Sequence, residues 1–358
     1  MDFVTNLTSH AVGHCIGRNA SGEIEFTCIA KATYTWSPDG RVTALAAEPL
    51  RVKDEYRGPE QSPVLVASSE IMPAKPRVDV LVIGTLAFPA PTERTDVTLE
   101  LGARLRKTVR VFGDRTWMPG AQSELRPSRA KPIATLPVAW EKSFGGSDPQ
   151  EPGFFESRNP AGVGLRRDPR GLAGTPLPNF ENPADLVESV ASRPAPVGFG
   201  AVAPHWMPRS KLAGTYDQSW KDQRCPLLPA DFSAAYFNTA PVDQQVDGYQ
   251  PGEELRLSQM TPAGRERMVL PDLSLPVTFV TALALIDTQA RVDTIIVDPS
   301  RRRLFLLARA VHVPKPDVLA FRSMVVGAQS RGVRRALETG KQYLRMRPSA
   351  PTTPPPAG

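Results

Sequence analysis

Several separate stretches of this chain alternate hydrophobic and polar residues with a period of two. From Ile24 to Trp36, the residues Ile24, Phe26, Cys28, Ala30, Ala32, Tyr34 and Trp36 alternate with more polar neighbours, the pattern of a strand with one buried face. Ser37-Pro38-Asp39-Gly40 follows, with proline presetting φ and glycine free to turn, and a return strand starts at Val42. Val78 to Phe88 is apolar on both faces apart from Asp79 and Thr85, which predicts a strand in mid-sheet. Val97, Leu99 and Leu101 alternate, as do Val109 and Val111 beyond a turn over Gly102 to Arg106, so a hairpin is predicted there. Towards the other end, Leu275–Leu285, Val292–Val297 and Leu304–Val313 read as three more strands, with a turn at Asp298-Pro299-Ser300.

Between these strand-rich ends, over residues 118–270, the chain runs in short phrases punctuated by proline and glycine, with little periodicity of either kind. Trp140, Phe144, Phe180, Phe199, Trp206, Tyr216, Trp220 and Phe232 are among its aromatics, more than a solvated segment carries. Long ordered loops laid over the sheet are expected, and such loops often accompany binding surfaces. A short helix is predicted over Asn182–Val190, where Pro183 suits the first turn.

After Pro314 the period becomes helical. Val326, Val333, Leu337 and Leu344 fall within a narrow arc at 100° per residue, with Arg331, Arg334, Arg335, Lys341 and Arg345 to one side. A basic amphipathic helix over 319–347 is predicted, with Gly327, Gly332 and Gly340 each weakening it by up to about 1 kcal/mol relative to alanine. The Pro- and Thr-rich end, 348–358, is expected to lack packed structure. The expected fold is mainly β: a sandwich- or barrel-like sheet assembly over 1–318 with long ordered loops, followed by the C-terminal amphipathic helix.

Composition agrees with a fold in which long helices do not dominate, since 38 prolines and 26 glycines occur in 358 residues. The net charge of +6 is not spread evenly: Arg322, Arg331, Arg334, Arg335, Lys341, Arg345 and Arg347 against Glu338 place all of it after Leu319, leaving a neutral body. A neutral body offers no basic groove, so nucleic acid is not an expected partner. Cys15, Cys28 and Cys225 are odd in number and widely spaced, which argues for a reducing compartment. The first ten residues lack the pattern of a signal peptide, and no window reaches the ~18 apolar residues of a membrane span. A cytoplasmic protein is expected.

Candidate chemistry is sparse. His10, His14 and Cys15 would share a helical face, but that segment has no helical period and no clear fourth ligand. No metal or other cofactor is expected. Neither a Gly-x-Ser-x-Gly elbow nor a nucleophilic cysteine with a local base occurs. Gly145-Gly146-Ser147-Asp148 reads as a tight turn. The glycines of Asn159-Pro160-Ala161-Gly162-Val163-Gly164 are able to approach a phosphate, but no strand precedes them and no helix follows. Asp114, Glu141, Asp148, Asp217 and Asp231 lie beside aromatics, a setting that serves a carbohydrate-directed enzyme or a lectin-like site as well as ion pairs with Arg115, Lys142 or Arg209 that pin loops. The basic helix has two functional readings, phosphates or an acidic protein surface, beside a purely solvated one.

Read in order, the middle phrases carry a resemblance. Lys75-Pro76-Arg77-Val78-Asp79, Gly113-Asp114-Arg115-Thr116-Trp117, Pro137-Val138-Ala139-Trp140-Glu141-Lys142 and Ser143-Phe144-Gly145-Gly146 begin the series. Asn159-Pro160-Ala161-Gly162, Leu177-Pro178-Asn179-Phe180-Glu181, Gly198-Phe199-Gly200 and Trp206-Met207-Pro208-Arg209 continue it. Gly214-Thr215-Tyr216-Asp217-Gln218-Ser219-Trp220, Phe237-Asn238-Thr239-Ala240-Pro241 and Asp243-Gln244-Gln245 complete it. Their order and spacing resemble a bacterial domain-of-unknown-function family associated with type VI secretion clusters, whose members look like effector adaptors or chaperones. The resemblance implies a protein, not an enzyme, that binds a secreted effector and helps load it onto the spike formed by VgrG and a PAAR-domain tip. It carries over no catalytic residues. The chain departs from the family in having Ala308 before Arg309, where members tend to carry tryptophan, and in the segment after Leu319. As protein-binding residues the loops offer Trp140, Phe199, Trp206, Tyr216 and Trp220, and the helix offers Arg331, Arg334, Arg335, Lys341 and Arg345.

Overall fold

The alternating segments pair into two large sheets. The computed structural model describes residues 3–58, 64–120, 124–148, 150–167, 170–315 and 317–341. The main path of the larger sheet runs Val4–Asn6, Phe321–Val326, Leu275–Thr281, Leu285–Asp298, Arg303–His312, Ile24–Trp36, Ala11–Arg18. Its two outermost strands are consecutive in the chain and approach each other across a seam, where the rings of Phe3 and His14 meet at 4.5 Å. The sheet is therefore nearly closed, like a barrel.

One strand organises this sheet. The first part of Leu285–Asp298 pairs antiparallel with Leu275–Val280, and its last part runs parallel to Val78–Val82. Between the two, a bulge at Val292/Thr294 shifts the register against Arg303–His312, which lets one strand change neighbours. The second sheet has the order Phe180–Glu181, Leu105–Phe112, Arg94–Leu101, Glu254–Ser258, Arg265–Val269. Its Val97, Leu99, Val109 and Leu255 share one core with Cys28, Val80, Phe279 and Leu306 of the barrel.

Val78–Val82 is buried along its whole length, as its apolar pattern predicts. Val78, Val80 and Val82 face the main core, while Leu81 joins Ile296, Phe305 and Leu307 in a second cluster on the other face. That outer face is covered by the middle of the chain, through Trp140, Val202 and Trp206. A third cluster, with Trp117, Phe144, Leu172 and Leu177 in it, lies within the loops themselves.

The structure corrects four expectations. Val78 to Phe88 is two strands, Val78–Val82 and Thr85–Thr92, because Gly84 turns at φ +81° against Asp298, where a Cβ would lie 2.4 Å from Oδ1. Glu254–Ser258 and Arg265–Val269 belong to the second sheet and not to a loop region. Asn182–Val190 is no helix: the Asn182 side chain accepts from the Ala184 amide and the Val187 amide donates to Glu181, so the backbone closes a turn instead. The helix predicted over 319–347 is confined to Arg331–Thr339. Before it, Phe321–Val326 is a barrel strand with neighbours on both sides, which buries Met324, Val325 and Val326 completely. Gly327, at φ +103°, ends it. Ala308, where the family resemblance expects tryptophan, is wholly buried between Ala30 and Val292.

No helix among the described residues is long and apolar enough to cross a membrane. Deleting residues 319–358 removes a central barrel strand, and at about 1.5–3 kcal/mol per buried side chain the loss rivals a whole domain's stability of about 5–15 kcal/mol. That truncation is expected to be unfolded, whereas deleting 328–358 leaves both sheets intact. Thermal unfolding followed by circular dichroism separates the two outcomes.

Candidate functional site

The phrases that carry the resemblance hold one another in place. Lys75 Nζ donates to Asp79 at 2.7 Å, and the same carboxylate accepts from the Asn238 side chain at 2.8 Å and from the Thr239 amide at 2.7 Å. Neither charged side chain of this pair is more than 3% exposed, so both depend on these partners. Gln244 donates to the carbonyls of Val80 and Phe199, and its own oxygen accepts from Lys107 Nζ at 2.8 Å. Lys107 also donates to the Gly198 carbonyl and to Asp243. Burial pushes its ammonium below the usual value, against the pull of Asp243.

Arg115 donates to Glu181 and to the Pro178 carbonyl, and Arg209 donates to the carbonyls of Val202 and Tyr236. Burial raises the Glu181 carboxyl above its ordinary range, opposed by Arg115. Of the cations expected to pair with the aromatic-flanked acids, Arg115 and Arg209 therefore have other partners. Asp114 accepts from Asn179, Glu141 from Arg57, and Asp148 from the amides of Gln150 and Arg167. Asp217 caps the helix Gln218–Gln223, and Asp231 holds Thr215. Each acid fixes backbone or a side chain, Asp114 and Glu141 by joining segments distant in the chain.

Gly145-Gly146 and Asn159-Pro160-Ala161-Gly162-Val163-Gly164 come together as a knot. The amides of Gly146 and Gly162 donate to Asn159, Val163 to Ser143, and Leu165 to Gly145. A Cβ on Gly145 would lie 2.2 Å from the Asn159 carbonyl oxygen. These glycines serve close backbone packing, which answers the phosphate reading. His14 and Cys15 occupy consecutive positions of a strand, so their side chains point to opposite faces and the helical spacing does not exist.

Trp140, Phe199 and Trp206 are 6%, 0% and 1% exposed. They cannot offer contact area, because Trp140 and Trp206 meet edge to face at 6.0 Å over the barrel's outer wall and Phe199 lies in the main core. Tyr216 and Trp220 remain outside: Tyr216 is 52% exposed and meets the Trp220 ring at 4.7 Å, while Trp220 Nε1 donates to Leu227.

Arg331, Arg334 and Arg335 line a cleft of about 800 Å³ between the C-terminal helix and the hairpin Leu275–Asp298. Ser330 caps this helix by accepting from the Val333 amide, and Gly340 ends it at φ +66°. A chain of hydrogen bonds fixes it to the sheet: Gln329 donates to Thr278 Oγ1 at 2.6 Å, Thr278 to Asp287 at 2.6 Å, and Arg334 to Asp287 at 2.7 Å. Arg334 also meets Glu338. The first turn contains no acid, so its cations sit against the helix polarity. Lys341 is exposed just beyond the helix, and Arg345 lies outside the described residues. Sequence patterns placed the arginines on one face but gave no sign of Thr278, Asp287 or Gln329, whose role arises only from the hairpin register.

Comparison with known proteins adds the family. A bacterial family profile spans residues 21–309 of the chain. The chain belongs to DUF2169, a family described as an uncharacterized protein conserved in bacteria. No curated protein and no solved structure matches it. The DUF2169 match includes the hairpin wall of the cleft and ends before the helix wall.

The buried and exposed pairs call for opposite outcomes. Asp79→Ala leaves the Lys75 ammonium buried without its partner and is expected to cost about 3–5 kcal/mol. Arg57→Ala, which breaks an exposed contact with Glu141, is expected to cost no more than about 1 kcal/mol. Urea unfolding of both variants measures the contrast. Asp287 has a lowered pKa, chiefly through the hydrogen bond from Arg334 and then that from Thr278. Its contribution to stability is complete above the unfolded value of about 3.9 and is lost as the pH falls through the lower folded value. The stability difference between the native protein and Asp287→Asn is therefore expected to be constant above about pH 5 and to shrink in more acid solution; a pH series of unfolding curves tests this.

Proposed function

We propose that this protein is an adaptor that binds a type VI secretion effector and helps load it onto the VgrG/PAAR spike. The observation that carries the reading is the division of labour among its polar groups. The acids and most of the aromatics of the family phrases pin loops to the barrel, while Arg331, Arg334 and Arg335 line a broad cleft. A body stiffened by buried polar pairs, with a charged cleft open at its surface, suits capture of another protein. The class of partner is drawn from the resemblance to a family associated with secretion clusters; membership of DUF2169 by itself supports a bacterial protein. The rival reading, a carbohydrate-directed enzyme or lectin-like protein, draws on Asp114, Glu141, Asp148, Asp217 and Asp231, each of which already has a structural partner.

Co-expression with the effector and spike genes of the same cluster is expected to yield a complex that survives size-exclusion chromatography. Failure to retain either partner at micromolar concentration would sink the adaptor reading. Secretion genes flanking the coding sequence are the matching genomic expectation, and carbohydrate-metabolism neighbours would favour the rival.

A further inference from the structure

We propose that the cleft between the helix Arg331–Thr339 and the hairpin Leu275–Asp298 is the docking surface for an extended, acidic segment of the effector. The proposal rests on the adaptor reading for the owner of that segment; the chemistry of the segment follows from the cleft.

Arg334 is neutralised by Asp287 and Glu338. Among the described residues, Arg331 and Arg335 have no acidic partner, and both are exposed. Four residues apart on one helix, they lie on the same face with about 6 Å of rise between them. An extended polypeptide places alternate side chains on one face at about 6.5–7 Å. Two carboxylates at alternate positions of such a strand therefore match the two guanidinium groups, each of which accommodates a bidentate pair.

Charge complementarity extends beyond this spacing. The helix begins with cations and has no acid in its first turn, so an anionic partner relieves an unfavourable arrangement that the chain itself leaves uncorrected. Pro276, Val277 and Ala328 supply carbon to the walls, and Gln289 supplies an amide able to bond a strand backbone. Among the described residues no aromatic ring lines the cleft, and Asp287 and Glu338 stand within it paired to Arg334. A nucleic acid would find no stacking surface among those residues, whereas alternate carboxylates of an extended chain match the spacing of Arg331 and Arg335, so the observations favour a polypeptide.

The test uses the full chain and a fluorescein-labelled decapeptide with glutamate at alternate positions separated by threonine and valine. Anisotropy is expected to show saturable binding that weakens as salt rises from about 0.05 to about 0.3 M. The Arg331→Glu/Arg335→Glu variant, checked for unchanged circular dichroism, is expected to bind at least about tenfold more weakly. Arg331→Lys/Arg335→Lys retains the charge and is expected to keep salt-dependent binding. Absence of binding by the native protein, equal binding by the glutamate variant, or displacement of the peptide by an equal concentration of oligothymidylate each overturns the proposal. If both the native protein and the glutamate variant capture the effector equally, the cleft assignment falls and the adaptor reading stands. If the native protein captures no effector, the adaptor reading falls together with the assigned owner, while the peptide measurement still decides whether the cleft accepts acidic strands.

Discussion

A carboxylate with no exposure to solvent ties the two halves of this fold together. Asp79 lies in the strand Val78–Val82, which runs beside the last part of Leu285–Asp298. Its oxygens accept from Lys75, from the Asn238 side chain, and from both the amide and the hydroxyl of Thr239. A buried charge is tolerable only when its hydrogen-bonding capacity is filled, so the segment around Asn238 has little freedom to move away. Gln244 extends the same clamp a few residues later, through the carbonyls of Val80 and Phe199 and through Lys107 of the second sheet. The loops are thus fastened to both sheets by polar groups whose loss would strand a partner in a dry interior.

Similar clamps recur elsewhere in the structure, the first beside Lys75, whose amide donates to Asp293. Arg309 donates to Asp293 and to the carbonyls of Met72 and Glu70, and Lys31 reaches the Glu70 carboxylate at 3.0 Å. Trp36 and Arg302 share the carboxylate of Glu266. Each joins segments distant in sequence, so the body is stiffened by charges that face inward. This arrangement accounts for loops that lack regular structure and still stay ordered: their backbone groups find partners in one another, and their charged side chains find partners in the sheets.

The strands were legible because alternation is a local property. Ile24–Trp36, the hairpin Arg94–Phe112 and the strand Arg303–His312 lie where period-two patterning puts them, whereas the strand expected over Leu275–Leu285 ends at Thr281 and the one expected over Val292–Val297 starts already at Leu285. Phe321–Val326 was not legible, because Val326 also fits the helical arc of Val333 and Leu337, and only pairing with Val4–Asn6 and Leu275–Thr281 decides between the two periods. The aromatics misled for a related reason: Trp140, Trp206 and Tyr216 look alike as sequence, yet the outer wall formed by Leu81, Ile296 and Phe305 takes the first two and leaves the third outside. Of the candidate site, the arginines were readable from composition, whereas the cleft was not, since its other wall comes from residues about 50 positions earlier in the chain.

The placement of charge separates the role of the helix from that of the body. Outside the last forty residues the acidic and basic groups cancel, and many of them are consumed in buried or local pairs. Such pairs produce little field beyond about 8 Å in physiological salt. Cations gathered at one end of a neutral body, by contrast, give the surface a polarity that acts before contact and orients an approaching acidic partner. The hydrogen bonds from Gln329 through Thr278 to Asp287 and Arg334 hold the helix against the hairpin, so Arg331 and Arg335 are carried on an ordered element, and a partner that met them would not bear the entropy cost of ordering a free segment.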